Sequence, residues 1–160
     1  MQPKVYLETT VPSYLTAWPS RDIVRAAHQR ITKEWWETRR QCFEVYVSQF
    51  VLDEVAVGDP EAARERLKVL GGIALLEPSN AVSELAAALI RGLVLPSKAA
   101  ADAAHIAVAA VHRMNFLLTW NCTHIANAEM KGDIIRVCHD CGFESPIICT
   151  PEELMGNSNL

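Results

Sequence analysis

The stretch KVYLETTVPSYL, residues 4–15, begins the alternation of strands and helices that continues along the chain. Val5, Tyr6 and Leu7 predict a short apolar strand, and Glu8 follows at its end with two threonines. A proline turn with a short helix comes next, before another apolar segment begins. A carboxylate at the end of a strand is either a solvent-exposed residue without a functional role or one member of a site whose other members lie farther along the chain.

Strands and helices alternate from this unit to the C-terminus. Further strands are predicted over 43–48, 73–78, 115–121 and 146–150. Helices are predicted over 20–41, 49–58, 60–70, 79–93, 97–114 and 125–141. We therefore expect one α/β domain over 1–154, in which helices cover both faces of a mostly parallel sheet of four to five strands, with a polar tail at 155–160.

Composition and charge narrow the class of protein. The 160 residues are enough for one substantial core, and the net charge of −4 argues against a generally basic nucleic-acid binder. No apolar run approaches the roughly 18 residues of a membrane span, and the N-terminus lacks the pattern of a signal peptide. We expect a cytoplasmic protein with no membrane partner.

The five cysteines do not form a recognisable framework. Cys138 and Cys141 form a C-x-x-C pair, but no second pair with zinc spacing follows, and the pair ends a predicted helix rather than beginning one. Reduced thiols are therefore expected.

Polar residues with oxygen donors occur at strand ends and helix starts. Glu8 lies at the end of the first strand, and Asn121 lies just past FLLT, at the end of the strand predicted at 115–121. The carboxyl ends of parallel strands meet at one edge of a sheet, where ligands bind. Glu54 and Asp102 lie on the helices at 49–58 and 97–114. Each carboxylate taken alone also fits a solvated helix face, so the combination carries the argument.

Asp102 is the most informative of these residues, because AAADAAHIAVAAVH surrounds it with alanine and aliphatic side chains. An ionised carboxylate buried there would have to face solvent, a partner or a metal. Three carboxylates and an amide form a donor set that suits Mg²⁺ or Mn²⁺, and such a metal can activate a water towards a phosphodiester. Thr10 and Thr119 would orient ligands or waters around it.

Four segments, YLETT, SQFVLDE, ADAAHIAVAA and LLTWNCTHIANA, occur in the order and spacing of PIN-domain nucleases, and the sequence resembles VapC-type toxins of bacterial toxin–antitoxin pairs from Lys4 to about Leu154. The resemblance implies a three-layer α/β/α fold and a Mg²⁺- or Mn²⁺-dependent ribonuclease that cuts RNA. Glu8, Asp102 and Asn121 would hold the metal, and Glu54 would complete the cage or position the water. It also implies a homodimer and a cognate antitoxin that enters the active-site groove.

Two departures from that family pattern affect the metal site. The first position is usually aspartate but is Glu8 here, and the fourth is often aspartate but is Asn121 here. His124 would either bind metal or phosphate or cap the last helix. Trp120 would pack on substrate or on an antitoxin side chain. The departures keep open a catalytically weakened PIN-like module that acts by binding protein or RNA, and a phosphatase or other metal hydrolase is a third hypothesis.

The helix predicted at 20–41 has two alternative interpretations. It carries six arginine and lysine residues against three acidic ones, which suits either RNA phosphates or a solvated face. Its apolar residues are spaced four apart and predict a buried stripe made of Ile23, Ala27, Ile31 and Trp35.

Overall fold

Within residues 1–156, five strands form one parallel sheet in the order β3-β2-β1-β4-β5. The computed structural model describes residues 1–156, so the last four residues of the predicted tail lie outside the described residues. The strands are β1 (Lys4–Leu7), β2 (Glu44–Ser48), β3 (Ala74–Leu76), β4 (Phe116–Leu118) and β5 (Ile147–Cys149). The predicted parallel sheet is confirmed.

In the part of the chain that the structure describes, seven α-helices connect these strands. They are α1 (Thr10–Thr16), α2 (Ile23–Thr38), α3 (Gln49–Val55), α4 (Pro60–Leu70), α5 (Asn80–Gly92), α6 (Ala100–Val111) and α7 (Ala128–Asp140). Right-handed crossovers place α1 to α4 on one face of the sheet and α5 to α7 on the other. Helix α1 accordingly packs on α2 and α4, and α5 packs on α6 and α7. The expected three-layer α/β/α sandwich is confirmed.

The central strand β1 is buried on both of its faces, as is usual in a parallel sheet. Val5, Tyr6 and Leu7 have no exposed surface. Leu7 is in register with Leu118 of the neighbouring β4, and the backbone N–H of Glu8 donates to the Leu118 carbonyl at 3.0 Å. The chain therefore leaves both strands at the same level of the sheet.

Helix α2 differs from its prediction in its start and in its buried face. It begins at Ile23 with Asp22 as N-cap, rather than with Ser20, and the Asp22 carboxylate accepts a backbone hydrogen bond from the first turn. Ile23 is 86% exposed and Ala27 is exposed as well, whereas Trp35 is fully buried. The prediction of one continuous buried stripe is wrong, because the surface that α2 covers reaches only its C-terminal half.

The start of the last helix also differs from its prediction. Helix α7 begins at Ala128, with Asn127 as N-cap, rather than at Ile125. The side-chain carbonyl of Asn121 accepts hydrogen bonds from the backbone N–H groups of Thr123 and His124, at 3.2 and 3.1 Å. These bonds stabilise a turn in place of the first helical turn.

The length and apolarity of the helices and the state of the cysteines bear on two expectations from composition. None of the helices in residues 1–156 is long and apolar enough to cross a membrane. All five cysteines carry free thiols, and Cys138 and Cys149 are the buried ones.

Candidate active site

The crevice between the carboxyl ends of β1 and β4 is the place in this sheet where a ligand is expected. The chain crosses from β1 towards β2 but from β4 towards β5, so the two connections leave in opposite directions. Such a topological switch point opens a crevice in which ligands of open α/β sheets bind. Glu8 directly follows β1, and Thr119 and Asn121 follow β4.

Among the described residues, hydrogen bonds to Glu8 reach one of its two carboxylate oxygens. Its Oε2 accepts hydrogen bonds from the Thr10 N–H at 3.0 Å, the Thr10 hydroxyl at 2.5 Å and the Thr119 hydroxyl at 2.7 Å. Glu8 is only 4% exposed, and these hydrogen bonds compensate for the burial of its charge. Its Oε1 accepts no hydrogen bond from the described residues.

Asp102 lies on the first turn of α6 and is paired rather than freely solvated. Its Oδ1 accepts from the Asn121 side-chain amide at 2.9 Å, and its Oδ2 lies 3.0 Å from Nδ1 of His124. The Asn121 backbone N–H donates to the Thr119 hydroxyl at 2.9 Å, and that hydroxyl is the one that contacts Glu8. Hydrogen bonds thus link Asp102 to Glu8 through Asn121 and Thr119.

Glu54 lies in a second network, which runs from α3 into the core. Its Oε1 accepts from the Thr9 hydroxyl at 2.8 Å and from Nε2 of His105, which has no exposed surface. Nδ1 of His105 lies 2.7 Å from the Tyr6 hydroxyl, which lies 2.7 Å from the Ser48 hydroxyl.

The surroundings of Glu54 favour its ionised form. Burial acts to raise the pKa of Glu54, but the hydrogen bond and charge of His105, together with the hydrogen bond from Thr9, lower that pKa below its ordinary value. Burial raises the pKa of the Tyr6 hydroxyl, so this group stays protonated.

Three members of this second network did not emerge from the sequence as site residues: Tyr6, Ser48 and His105. Their signal was present, because a histidine inside an apolar helix and a tyrosine inside a buried strand both need hydrogen-bond partners. His105 also follows Asp102 by three residues on α6, which places the two side chains on the same side of the helix.

Trp120 packs into the protein beside the crevice. Its ring Nε1–H donates to the Thr32 hydroxyl at 2.7 Å, and its ring stacks on His28 with the centroids 4.0 Å apart. Trp120 itself is buried, whereas His28 is half-buried, so the outer surface of this stack belongs to His28.

The chemistry of the donor set suits a hard divalent cation. Carboxylate and amide oxygens are the ligands that Mg²⁺ and Mn²⁺ prefer, and Glu8 and Glu54 each have one oxygen without a hydrogen bond from the described residues. Within residues 1–156, however, no three His, Cys, Asp or Glu side chains are grouped closely enough to hold a metal ion. Binding by three carboxylates at once would require side chains to move from these positions.

The strand order and the three layers define a PIN-like α/β/α fold. A similar chain occurs in the crystal structure of VapBC2 from Rickettsia felis bound to a DNA fragment from their promoter, with a TM-score of 0.58 and 15% sequence identity. The match covers 91% of this chain and 97% of that one. No protein-family model matches the sequence, and no curated protein matches it either. The likeness therefore establishes the fold, and the predicted resemblance to that fold is confirmed.

Proposed function

We propose that this protein is a divalent-metal-dependent endoribonuclease of the VapC-like toxin type. The observation that carries the proposal is the state of the two glutamates beside the switch-point crevice. Glu8 and Glu54 each use one carboxylate oxygen to bind the protein and leave the other without a hydrogen bond from the described residues. Each glutamate is thus restrained through one of its two carboxylate oxygens.

Mg²⁺ or Mn²⁺ would be held by Glu8, Asp102 and Asn121, with Glu54 completing the set. Bound there, the metal would polarise a phosphodiester and lower the pKa of an attacking water. Thr119 contributes by holding Glu8 through its hydroxyl proton and Asn121 through its hydroxyl oxygen. One threonine thus aligns a carboxylate and an amide relative to each other.

Glu54 would orient the attacking water through its unbonded oxygen. The lowered pKa of Glu54 keeps its carboxylate ionised at neutral pH, as an acceptor for water protons must be. His124 pairs with Asp102 and is partly exposed, which suits a contact with a substrate phosphate.

A protein partner is part of the same proposal. The similar fold in the VapBC2 complex supports a cognate antitoxin, and a homodimer in the cytoplasm accords with the family resemblance. Trp18, Ile23 and Val24 are large apolar side chains that are exposed near the start of α2, and exposed apolar surface of this kind often marks a protein contact.

The second candidate is a catalytically weakened PIN-like module that acts by binding protein or RNA. The observation that favours it is that both oxygens of Asp102 are already paired, with Asn121 and His124, while no three potential ligands are grouped among residues 1–156. This module would bind RNA or a partner protein without cleaving RNA.

Cleavage of RNA by the full chain in Mn²⁺ or Mg²⁺ tests the leading proposal. We expect Asp102→Asn and Glu8→Gln to lower the rate by at least about 100-fold, because each removes a charge from the metal site. Asp53→Asn is the matched control, since Asp53 neighbours Glu54 on α3 but is exposed. Equal cleavage by all four proteins, or none with either metal, would contradict the proposal.

Calorimetry with Mn²⁺ separates the two candidates. Mn²⁺ binding that Asp102→Ala abolishes counts against the catalytically weakened module. RNA binding without RNA cleavage supports that module. A phosphomonoester tested beside the RNA oligomer identifies a phosphatase, which would hydrolyse the small substrate preferentially.

A further inference from the structure

A continuous hydrogen-bonded chain connects Glu54 to the central strand of the sheet. It runs from Ser48 at the end of β2 to Tyr6 on β1, then to His105 on α6, and ends at Glu54 on α3. Ser48, Tyr6 and His105 are all essentially without exposed surface, so the chain lies in the core until it reaches Glu54. Helices α3 and α6 are in contact here, and Phe50 packs edge-on against the His105 ring.

We propose that His105 is a positioning residue that fixes Oε1 of Glu54 and thereby keeps the other carboxylate oxygen turned towards the crevice. The inference rests on the proposed nuclease function for its consequence in catalysis. The contact between His105 and Glu54 is independent of that function.

Glu54 needs such a restraint because of where it lies. Its side chain is 39% exposed and projects from α3, a helix of seven residues. A glutamate side chain free to rotate in water loses substantial entropy when it is held in one geometry, so an unrestrained Glu54 would populate several orientations. The His105 contact, together with the Thr9 hydroxyl, selects one of them.

Hydrogen bonds at both ring nitrogens fix the orientation of the His105 imidazole. Nε2–H of His105 donates to the Glu54 carboxylate, which can only accept. Nδ1, on the other side of the ring, lies 2.7 Å from the Tyr6 hydroxyl, and that hydroxyl lies 2.7 Å from the Ser48 hydroxyl. Each side chain from Ser48 to Glu54 in this network therefore has a hydrogen-bond partner, and a flip of the ring would break both bonds of His105.

The location of His105 on α6 adds a second consequence. The same helix carries Asp102, three residues earlier, on the side that faces Asn121 and His124. One rigid helix thus holds Asp102 directly and Glu54 indirectly, so it sets the position of one carboxylate relative to the other. His105 transmits this geometry to α3.

A pair of substitutions at one position separates positioning from a merely structural role in the core. In His105→Gln the amide nitrogen replaces Nε2 and keeps the bond to Glu54, whereas in His105→Asn the amide nitrogen replaces Nδ1 and leaves Glu54 unheld. Both variants remove the ring and one of its two bonds, and they differ from each other by one methylene group, which changes the packing of a fully buried site. The unfolding free energy of each is measured so that rates are compared among folded proteins.

We expect His105→Asn to lower kcat for RNA cleavage by about 10–100-fold with KM little changed, the usual effect of losing a group that orients a ligand of the metal. We expect His105→Gln to retain most of the wild-type kcat. Equal losses in the two variants would overturn the proposal, because a core residue that does not act on Glu54 would not distinguish them.

Proton NMR of the wild-type chain tests the contact without any need for activity. A buried ring N–H that donates to a carboxylate gives a strongly deshielded, slowly exchanging resonance, and Glu54→Gln should shift it upfield. Absence of the resonance, or a resonance that Glu54→Gln leaves unchanged, would overturn the inference. A resonance that shifts as expected in a protein that cleaves no RNA would instead support the contact and contradict the proposed function.

Discussion

Replacement of Thr119 by valine tests whether the crevice depends on the hydrogen bonds of one hydroxyl group. Valine has nearly the same shape as threonine, and Thr119 is fully buried, so the main effect of the substitution is to remove the hydrogen bonds of the hydroxyl. The two shorter bonds of this hydroxyl are lost, the one donated to Oε2 of Glu8 at 2.7 Å and the one accepted from the Asn121 N–H at 2.9 Å. A third, with the Thr10 hydroxyl, is longer at 3.5 Å.

The expected magnitude follows from the character of these two bonds. The bond to Glu8 involves a charged and almost fully buried acceptor, and such bonds contribute about 1.5–3 kcal/mol. The bond from Asn121 is between neutral groups, and we assign it about 0.5–1.5 kcal/mol. Their loss should lower the free energy of unfolding by about 3 kcal/mol, which for a chain of this size lowers Tm by about 6–12 °C.

Urea unfolding of the wild type and two valine variants measures this effect. Thr38→Val is the matched control, since the Thr38 hydroxyl donates at 2.7 Å to the Glu34 carbonyl but is exposed, and we expect a change within about 0.5 kcal/mol there. The slope of free energy against urea should be equal in all three proteins. If Thr119→Val is no less stable than Thr38→Val, the hydrogen-bond network at the crevice does not have the role assigned to it.

Two further predictions concern helix packing and pH. A Cβ added at Gly92, at the end of α5, would lie 2.6 Å from Cγ2 of Val137 on α7, so Gly92→Ala should destabilise the protein by about 1–3 kcal/mol in urea unfolding. Gly132→Ala is the matched substitution inside α7, where nothing lies within 4 Å, and it should stabilise by about 0.5–1 kcal/mol; the same sign for both would refute this account. Because the folded protein lowers the pKa of Glu54, its ionised form stabilises the fold above the ordinary value of 4.5, and this contribution is lost as the pH falls through the lowered pKa. The difference in unfolding free energy between wild type and Glu54→Gln should therefore be largest near neutral pH and should shrink in acid, and a difference that grows in acid would contradict the assignment.

Much of the fold follows from local patterns in the sequence. Helix α4 begins at Pro60 and ends at Leu70 as predicted, because Asp59 caps it, proline suits its first position and two glycines end it. The start of α7 could not be read in the same way, since Asn121 uses its side chain to stabilise a turn that competes with the helix. The buried stripe of α2 was wrong for another reason, because periodicity defines a face of a helix but not how far a neighbouring surface extends along it.

The residues of the candidate site were partly predictable from local sequence and were partly brought together only by the fold. By itself, the sequence determined that Glu8 and Asn121 follow strands and that Asp102 lies in an apolar helix, because strand ends and helix starts depend on nearby residues. Only the tertiary structure decided that β1 lies beside β4, which brings the Thr119 hydroxyl to the Glu8 carboxylate across 111 positions of the chain. The tertiary structure also decided that the Nε2 atom of His105 forms a hydrogen bond with the Glu54 carboxylate. Such contacts join side chains far apart in sequence, and the packing of whole strands and helices brings them together.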